Sequence, residues 1–170
     1  MDVFEAIRTI VAVRKYQDRP VPEELIHRLV EAARLTASSR NLQPWHFIVV
    51  RDREMLRQLG AMATTGPYTA DAAFAIVVAY EKDSPFGVSD ASQAIHAMML
   101  TAWAEGVGSN WVGFANRFEA VKPLLNVPDE LDLLAIVPFG YPVATLGKGK
   151  KRRKALGEVA HRERFGRPFA

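Results

Sequence analysis

The run from Phe74 to Tyr80, F-A-I-V-V-A-Y, constrains the fold more than any other stretch of this chain. It is strand-length, rich in β-branched residues, and apolar at odd and even positions alike, so both of its faces must be covered. Leu133 to Phe139 reads as another strand, closed by Gly140-Tyr141-Pro142, and His46 to Val50 as a third. A short strand is expected over Asn110 to Val112, behind the helix-ending Gly106-Val107-Gly108.

Helices fill the gaps between these strands. Asp2 followed by Glu5 has the form of a capping pair, and Val3, Phe4, Ile7 and Val11 are spaced for one buried helical face. Val13 to Tyr16 reads as extended. Pro22 suits a first helical turn, and Glu23 and Glu24 favour the dipole of the helix it opens. Leu25, Ile26, Leu29, Val30, Ala33 and Leu35 form that helix's apolar stripe. Asp52 caps a short helix that turns Met55, Leu56, Leu59 and Met62 inward. From Ser89 to Glu105 a long helix carries small and apolar residues on more than one face, which suits deep burial or a subunit contact. Asn116 with Glu119 opens a further helix, shortened or kinked by Pro123, and Leu156 to Phe165 is a weak helix or an extended arm. This mixture gives an α+β or α/β chain, and periodicity alone does not choose between them.

With 170 residues the chain is long enough for one domain, 1–170, with a real core. It has no cysteine, so any redox chemistry must come from a bound cofactor. Lys148 to Lys154 holds six of the 22 basic residues and no acid, which leaves 16 bases against 19 acids elsewhere. The positive charge is therefore local. That run can be a solvated tail, a nucleic-acid patch or a phosphate clamp, and no aromatic is interleaved in it to stack bases. The four histidines have no ligand spacing, no serine sits in a nucleophile elbow, and Gly106-x-Gly108 closes a helix where a dinucleotide fingerprint would open one. A metal site is not expected. The apolar runs fall far short of a membrane span, and the acidic start lacks a signal core, so a cytoplasmic location is expected.

Chemistry concentrates in Ala37 to Trp45, A-S-S-R-N-L-Q-P-W. Ser38, Ser39, Arg40, Asn41 and Gln43 offer hydroxyl, guanidinium and amide groups to a ligand with many donors and acceptors. Loops are polar by default, so the flanks decide. Arg14-Lys15-Tyr16, then Pro20-Val21-Pro22, then S-S-x-N-x-Q-P-W-H-F-I-V-V, then Gly113, Gly140-Tyr141-Pro142, Arg153 and His161 follow in order. This series resembles the nitroreductase family of FMN-dependent oxidoreductases over nearly the whole chain.

The resemblance implies an α+β fold with a mostly antiparallel central sheet flanked by helices, working as an intertwined homodimer. FMN would lie at the subunit interface. NADH or NADPH would donate electrons, and a small planar acceptor such as a nitroaromatic or quinone would receive them, two at a time in ping-pong order. Arg14, with Lys15, would meet the phosphate or the pyrimidine edge. Ser38, Ser39, Asn41 and Gln43 would meet the flavin, often across the dimer interface. Val112 and Gly113 would lie along the ring, with the Gly113 N–H toward N5. The basic run becomes a phosphate clamp in which Arg153 and either Lys151 or Arg152 take part, at the head of an arm over 148–170. No catalytic side chain is implied, because the chemistry is the flavin's. The chain departs from the family at Ile10-Val11-Ala12, where basic residues and a serine are usual, and Arg8 is a candidate substitute. Thr65 and Tyr68 lie where relatives reach the ring with asparagine or lysine. Other readings are an ene-reductase, a reductive dehalogenase or a flavin-degrading enzyme of the same family. A non-catalytic FMN-binding or nucleic-acid-binding module would come from a different class.

Overall fold

The computed structural model describes residues 1–113, 118–144 and 151–169. Strand β1 (Trp45–Val50) pairs with β2 (Phe74–Glu81), and β2 with β5 (Leu131–Gly140). The two-residue strands β3 (Gly108–Ser109) and β4 (Val112–Gly113) both pair with β5, and all four pairings are antiparallel. This is the mostly antiparallel sheet implied above. The β2 run from Phe74 to Ala79 is wholly buried, because successive side chains enter opposite cores. Phe74, Ile76 and Val78 join α2 (Glu23–Arg34) and α4 (Gly87–Ala104) on one face. Ala75 and Val77 join α3 (Arg53–Met62) and α5 (Val121–Leu124) on the other.

Local signals end the helices as expected. The Asp2 carboxylate accepts from the Glu5 amide at the start of α1 (Val3–Thr9), and Asp52 accepts from the Met55 amide at the start of α3, each at 2.8 Å. Ile26, Leu29 and Ala33 of α2 are buried, while Leu35 falls past its last turn and is exposed. Gly60 of α3 packs against the turn Pro67–Asp71, where an added Cβ would stand 2.8 Å from both the Ala70 amide nitrogen and the Pro67 carbonyl oxygen. Backbone cannot step aside as a side chain does. Gly60→Ala is therefore expected to cost about 1–3 kcal/mol of stability, read as a lower urea midpoint. An unchanged midpoint would mean that α3 and the turn separate freely.

Two expectations need correction. The face of Val3, Phe4 and Ile7 is not buried: these residues are 71%, 75% and 44% exposed, and α1 instead buries Ala6 and Thr9. The helix ends at Thr9, short of Val11, with its larger apolar side chains turned outward. The expected strand over Asn110 to Val112 is split into β3 and β4. Both halves keep one register, which places Asn110 opposite Pro138. Proline has no N–H to return to Asn110, and the remaining bond, Asn110 N–H to the Pro138 carbonyl, is a long 3.4 Å. The helix expected from Asn116 begins outside the described residues, and within them it is α5 with a short turn (Phe118–Ala120) before it.

The arm carries one helical turn, α6 (Leu156–Val159), and a tight return that pairs His161 with Pro168. Its apolar groups Leu156, Val159, Phe165 and Phe169 are exposed, Phe165 at 92%.

Candidate flavin site

The segment after α1 is sewn to the end of the sheet. The Val13 amide donates to the Ser109 carbonyl (2.9 Å), the Gln17 amide to the Tyr141 carbonyl (2.8 Å), and Tyr16 bridges Pro142. Tyr16 is buried, and its hydroxyl donates to the Val13 carbonyl at 2.8 Å. Burial above all, and Tyr68 beside it, push its pKa far up, against the opposing effect of Arg14, so the phenol stays neutral. This turns Arg14 and Lys15 outward, where with Tyr16, Asp18, Arg53 and Asp71 they line a polar cleft of about 510 Å³.

The Arg14 guanidinium lies 6.0 Å from the centre of the Tyr68 ring. The Tyr68 hydroxyl accepts a hydrogen bond from the Asn110 side-chain amide, two residues before Val112. Val112 and Gly113 pair with Ile136 and Ala135 in the middle of β5. At Gly113 a Cβ would stand 2.4 Å from the Trp111 indole nitrogen. The chain's own packing therefore already favours glycine there, whatever lies over the strand. Lys151 reaches back to α1, donating to the Ile7 carbonyl. Its pKa is lowered, first by partial burial and then by the charge of Arg153. Arg153 itself donates to the Arg152 carbonyl (3.0 Å). Arg8 is forked onto Glu5 at 2.8–3.0 Å on the surface of α1.

The polar loop forms a second group. The Ser38 hydroxyl donates to Asp90 (2.8 Å), the Ser39 amide donates to the same carboxylate oxygen (2.9 Å), and the Gln43 amide donates to the Ser38 hydroxyl (2.8 Å). The Gln43 side-chain amide donates to the Asn41 side-chain oxygen at 3.2 Å. Arg40, Asn41 and Gln43 have φ of 54°, 57° and 52°. The left-handed region costs a residue with a β-carbon about 1–2 kcal/mol, less for asparagine. Hydrogen bonds to a charged acceptor contribute about 1.5–3 kcal/mol each, so the two at Asp90 offset much of that strain. Asp90 is fully buried in the first turn of α4. The sequence reading missed it, because a lone acid near a helix start reads as a dipole partner and nothing more.

The two groups stand apart within one chain. Asp90 and the loop lie at the start of α4, whereas Trp103, thirteen residues along, holds Thr9 of α1 (2.9 Å). At 1.5 Å per residue the helix separates them by about 20 Å. The sheet agrees. Trp45, after the loop, lies opposite Tyr80, which lies opposite Asp132, whereas Tyr16 bridges Pro142. Ten residues of extended chain span roughly 33 Å. The structure thus brings Arg14, Lys15 and Lys151 toward one end, with Arg153 beside Lys151, and leaves Val112 and Gly113 between the ends, at the middle of β5. It places Ser38, Ser39, Asn41 and Gln43 at the other end. Lys148 to Lys150 lie outside the described residues.

The chemistry of these groups suits FMN. A ligand with a dianionic phosphate, a polar pyrimidine edge and a flat ring calls for cations toward the phosphate and the reducible ring, and for amide or hydroxyl groups along its remaining polar side. Arg14, Lys15, Lys151 and Arg153 supply the first and the loop supplies the second, so the donor set fits. No group of His, Cys, Asp or Glu that would hold a metal occurs among the described residues, and no helix there is long and apolar enough to cross a membrane.

A sequence profile of the nitroreductase family matches residues 7–67 and 61–141. A protein of Methanothermobacter thermautotrophicus, provisionally named NADH dehydrogenase/NAD(P)H nitroreductase, is 40% identical over 154 residues, 86% of this chain and 81% of the relative. The crystal structure of a protein with the same provisional name from Parabacteroides distasonis superposes with a TM-score of 0.87 at 31% identity, over 96% of this chain and 98% of that one. An FMN-dependent nitroreductase of Clostridium difficile gives a TM-score of 0.85 at 28% identity, over 95% and 99%.

Proposed function

The chain belongs to the nitroreductase family, and we propose that it is an FMN-dependent oxidoreductase that uses NADH or NADPH to reduce small planar acceptors. Residues 1–170 act as one domain with 148–170 as its arm, in the cytoplasm, as a homodimer with two composite sites. The names of its relatives support cofactor and donor. The division of the donor set between the two ends of α4 carries the composite site. One flavin cannot touch Arg14 and Asn41 of the same chain across about 20 Å of helix, but two antiparallel copies bring the cationic end of one to the polar loop of the other. The outward apolar face of α1 and the exposed apolar groups of the arm support the same dimer, since patches of this kind mark association surfaces.

Bound there, FMN would supply a two-electron carrier that donor and acceptor reach in turn. The protein's share is position and charge. Arg14, Lys15, Lys151 and Arg153 fix the phosphate and the pyrimidine edge, and their positive charge favours the flavin's reduced form. Asn110 orients the Tyr68 hydroxyl beside Arg14. Ser39, Asn41 and Gln43 of the second copy close the polar side.

The test is titration of the purified protein with FMN, expected to saturate at about one per subunit. Protein that stays colourless and leaves FMN fluorescence unquenched would overturn the reading. The same titration carries a pH signature. Lys151 has a lowered pKa without ligand, and a nearby phosphate favours its charged form. Its share of affinity is thus full below that lowered pKa and is lost as pH rises from it through the higher pKa of the phosphate-bound lysine. Lys151→Arg, which keeps its charge, is expected to remove that alkaline loss. A loss that persists unchanged in Lys151→Arg would take Lys151 out of the clamp.

A further inference from the structure

We propose that Asp90 is the positioning residue of the flavin-facing loop: its buried carboxylate holds residues 38–43 in a backbone conformation they would not adopt alone, and so shapes the FMN site of the second copy. The inference rests on the functional reading above, but its residue lies outside the set that touches the cofactor.

Three observations meet at this one group. The first is how the loop is tied. One oxygen of Asp90 receives both the Ser38 hydroxyl and the Ser39 amide, and the Ser38 hydroxyl in turn receives the Gln43 amide. Both ends of the loop therefore hang from one carboxylate. The second is what is held. Arg40, Asn41 and Gln43 all have positive φ with no glycine among them, and Gln43 precedes Pro44, which narrows its choices further. Backbone of this kind persists only where its surroundings over-determine it, and such residues gather at ligand clamps.

The third is charge. Asp90 is fully buried and has no cationic partner among the described residues. Its partners are neutral: the two loop donors and the Ser89 hydroxyl at 3.3 Å, which lies closer to the Phe86 carbonyl (3.0 Å). Burying a carboxylate in this way is costly, and asparagine would fill the same space without the charge. Asparagine, however, turns an NH2 where the carboxylate has a second acceptor, and it accepts less strongly from the loop. The acid is favoured where a firm grip on the loop matters more than ease of burial.

The experiment compares wild type, Asp90→Asn, Arg40→Gly and the double variant. Glycine adopts positive φ at no steric cost, so Arg40→Gly relieves the strain that Asp90 holds. Asp90→Asn is expected to weaken FMN binding roughly tenfold or more, the scale of a lost charge-assisted hydrogen bond. Amide hydrogen exchange is expected to speed at Ser39 and Gln43 while β2 and α4 stay protected. Adding Arg40→Gly should recover several-fold of the lost affinity, a recovery that a plain loss of fold stability would not give. Unchanged FMN affinity and unchanged exchange at Ser39 and Gln43 in Asp90→Asn would overturn the proposal, as would a double variant no better than Asp90→Asn. If Asp90→Asn does not fold, Ser38→Ala cuts the same tie from the loop side and must give the same exchange pattern, or the proposal falls. A wild type that binds no FMN would overturn the functional reading and this inference with it. The wild-type FMN titration distinguishes that outcome from one in which FMN binds and only Asp90 is idle, which unchanged affinity and exchange in Asp90→Asn would show.

Discussion

Mixing two variants that each bind FMN poorly, Arg14→Ala and Asn41→Ala, is expected to restore binding at about one quarter of the sites. The two residues stand toward opposite ends of α4, so each composite site of the proposed dimer would take Arg14 from one copy and Asn41 from the other. In either homodimer every site carries one lesion. In a randomised equal mixture half of the dimers are heterodimers, and in each of these one site carries both lesions and the other carries none. Loss of the charged Arg14 contacts is worth about 1.5–3 kcal/mol, roughly ten- to a hundredfold in Kd. Titration at an FMN concentration between the two Kd values therefore reads close to an on–off signal. A site built within one chain gives no recovery at all, because no mixture of subunits then repairs a lesion. Full recovery is equally excluded. The readout is the fraction of flavin held after dissociation, remixing and gel filtration.

The sheet was legible because its signals are local. The run Phe74 to Tyr80 is apolar at every position and is buried on both faces from Phe74 to Ala79. Asp2 and Asp52 cap the helices they precede. What escaped depended on partners distant in sequence. The break between β3 and β4 comes from Pro138, which stands opposite Asn110 only once the register is known. The α1 stripe Val3, Phe4 and Ile7 has helical spacing, but spacing does not say whether its own chain or another copy will cover it. Arg40 and Gln43 carry no sign of positive φ, since neither is a residue that seeks it, and the cause is a carboxylate about fifty positions away. Of the candidate site, the residue types were readable and the separation was not. Arg14 and Asn41 are 27 positions apart in sequence and lie toward opposite ends of α4 in space.

Removing the arm after Ala144 is expected to abolish FMN binding and leave the fold intact. The four hydrophobic clusters of the core draw on residues between Val13 and Tyr141, with none from 151–169. Within the arm the bonds are largely its own: the Ala155 amide to Glu158 (2.8 Å), the Arg162 amide to the Arg167 carbonyl (3.0 Å), and the His161 ring against Phe165 at 4.3 Å. Its described side-chain hydrogen bond to the body is Lys151 to the Ile7 carbonyl. A truncated chain should thus keep its far-UV circular dichroism, yet it loses Lys151 and Arg153 together. Two charge-assisted contacts of about 1.5–3 kcal/mol each lower affinity by a hundredfold or more. The exposed Leu156, Val159, Phe165 and Phe169 go as well, and with them apolar area that would cover a second copy. Light scattering should then show a shift toward monomer. The full-length Lys151→Ala/Arg153→Ala variant separates these two roles, because it removes the charges and leaves the apolar groups in place. It should remain dimeric and lose the flavin. A truncated protein that binds FMN like the full chain would return the arm to the solvated tail that its composition alone allows.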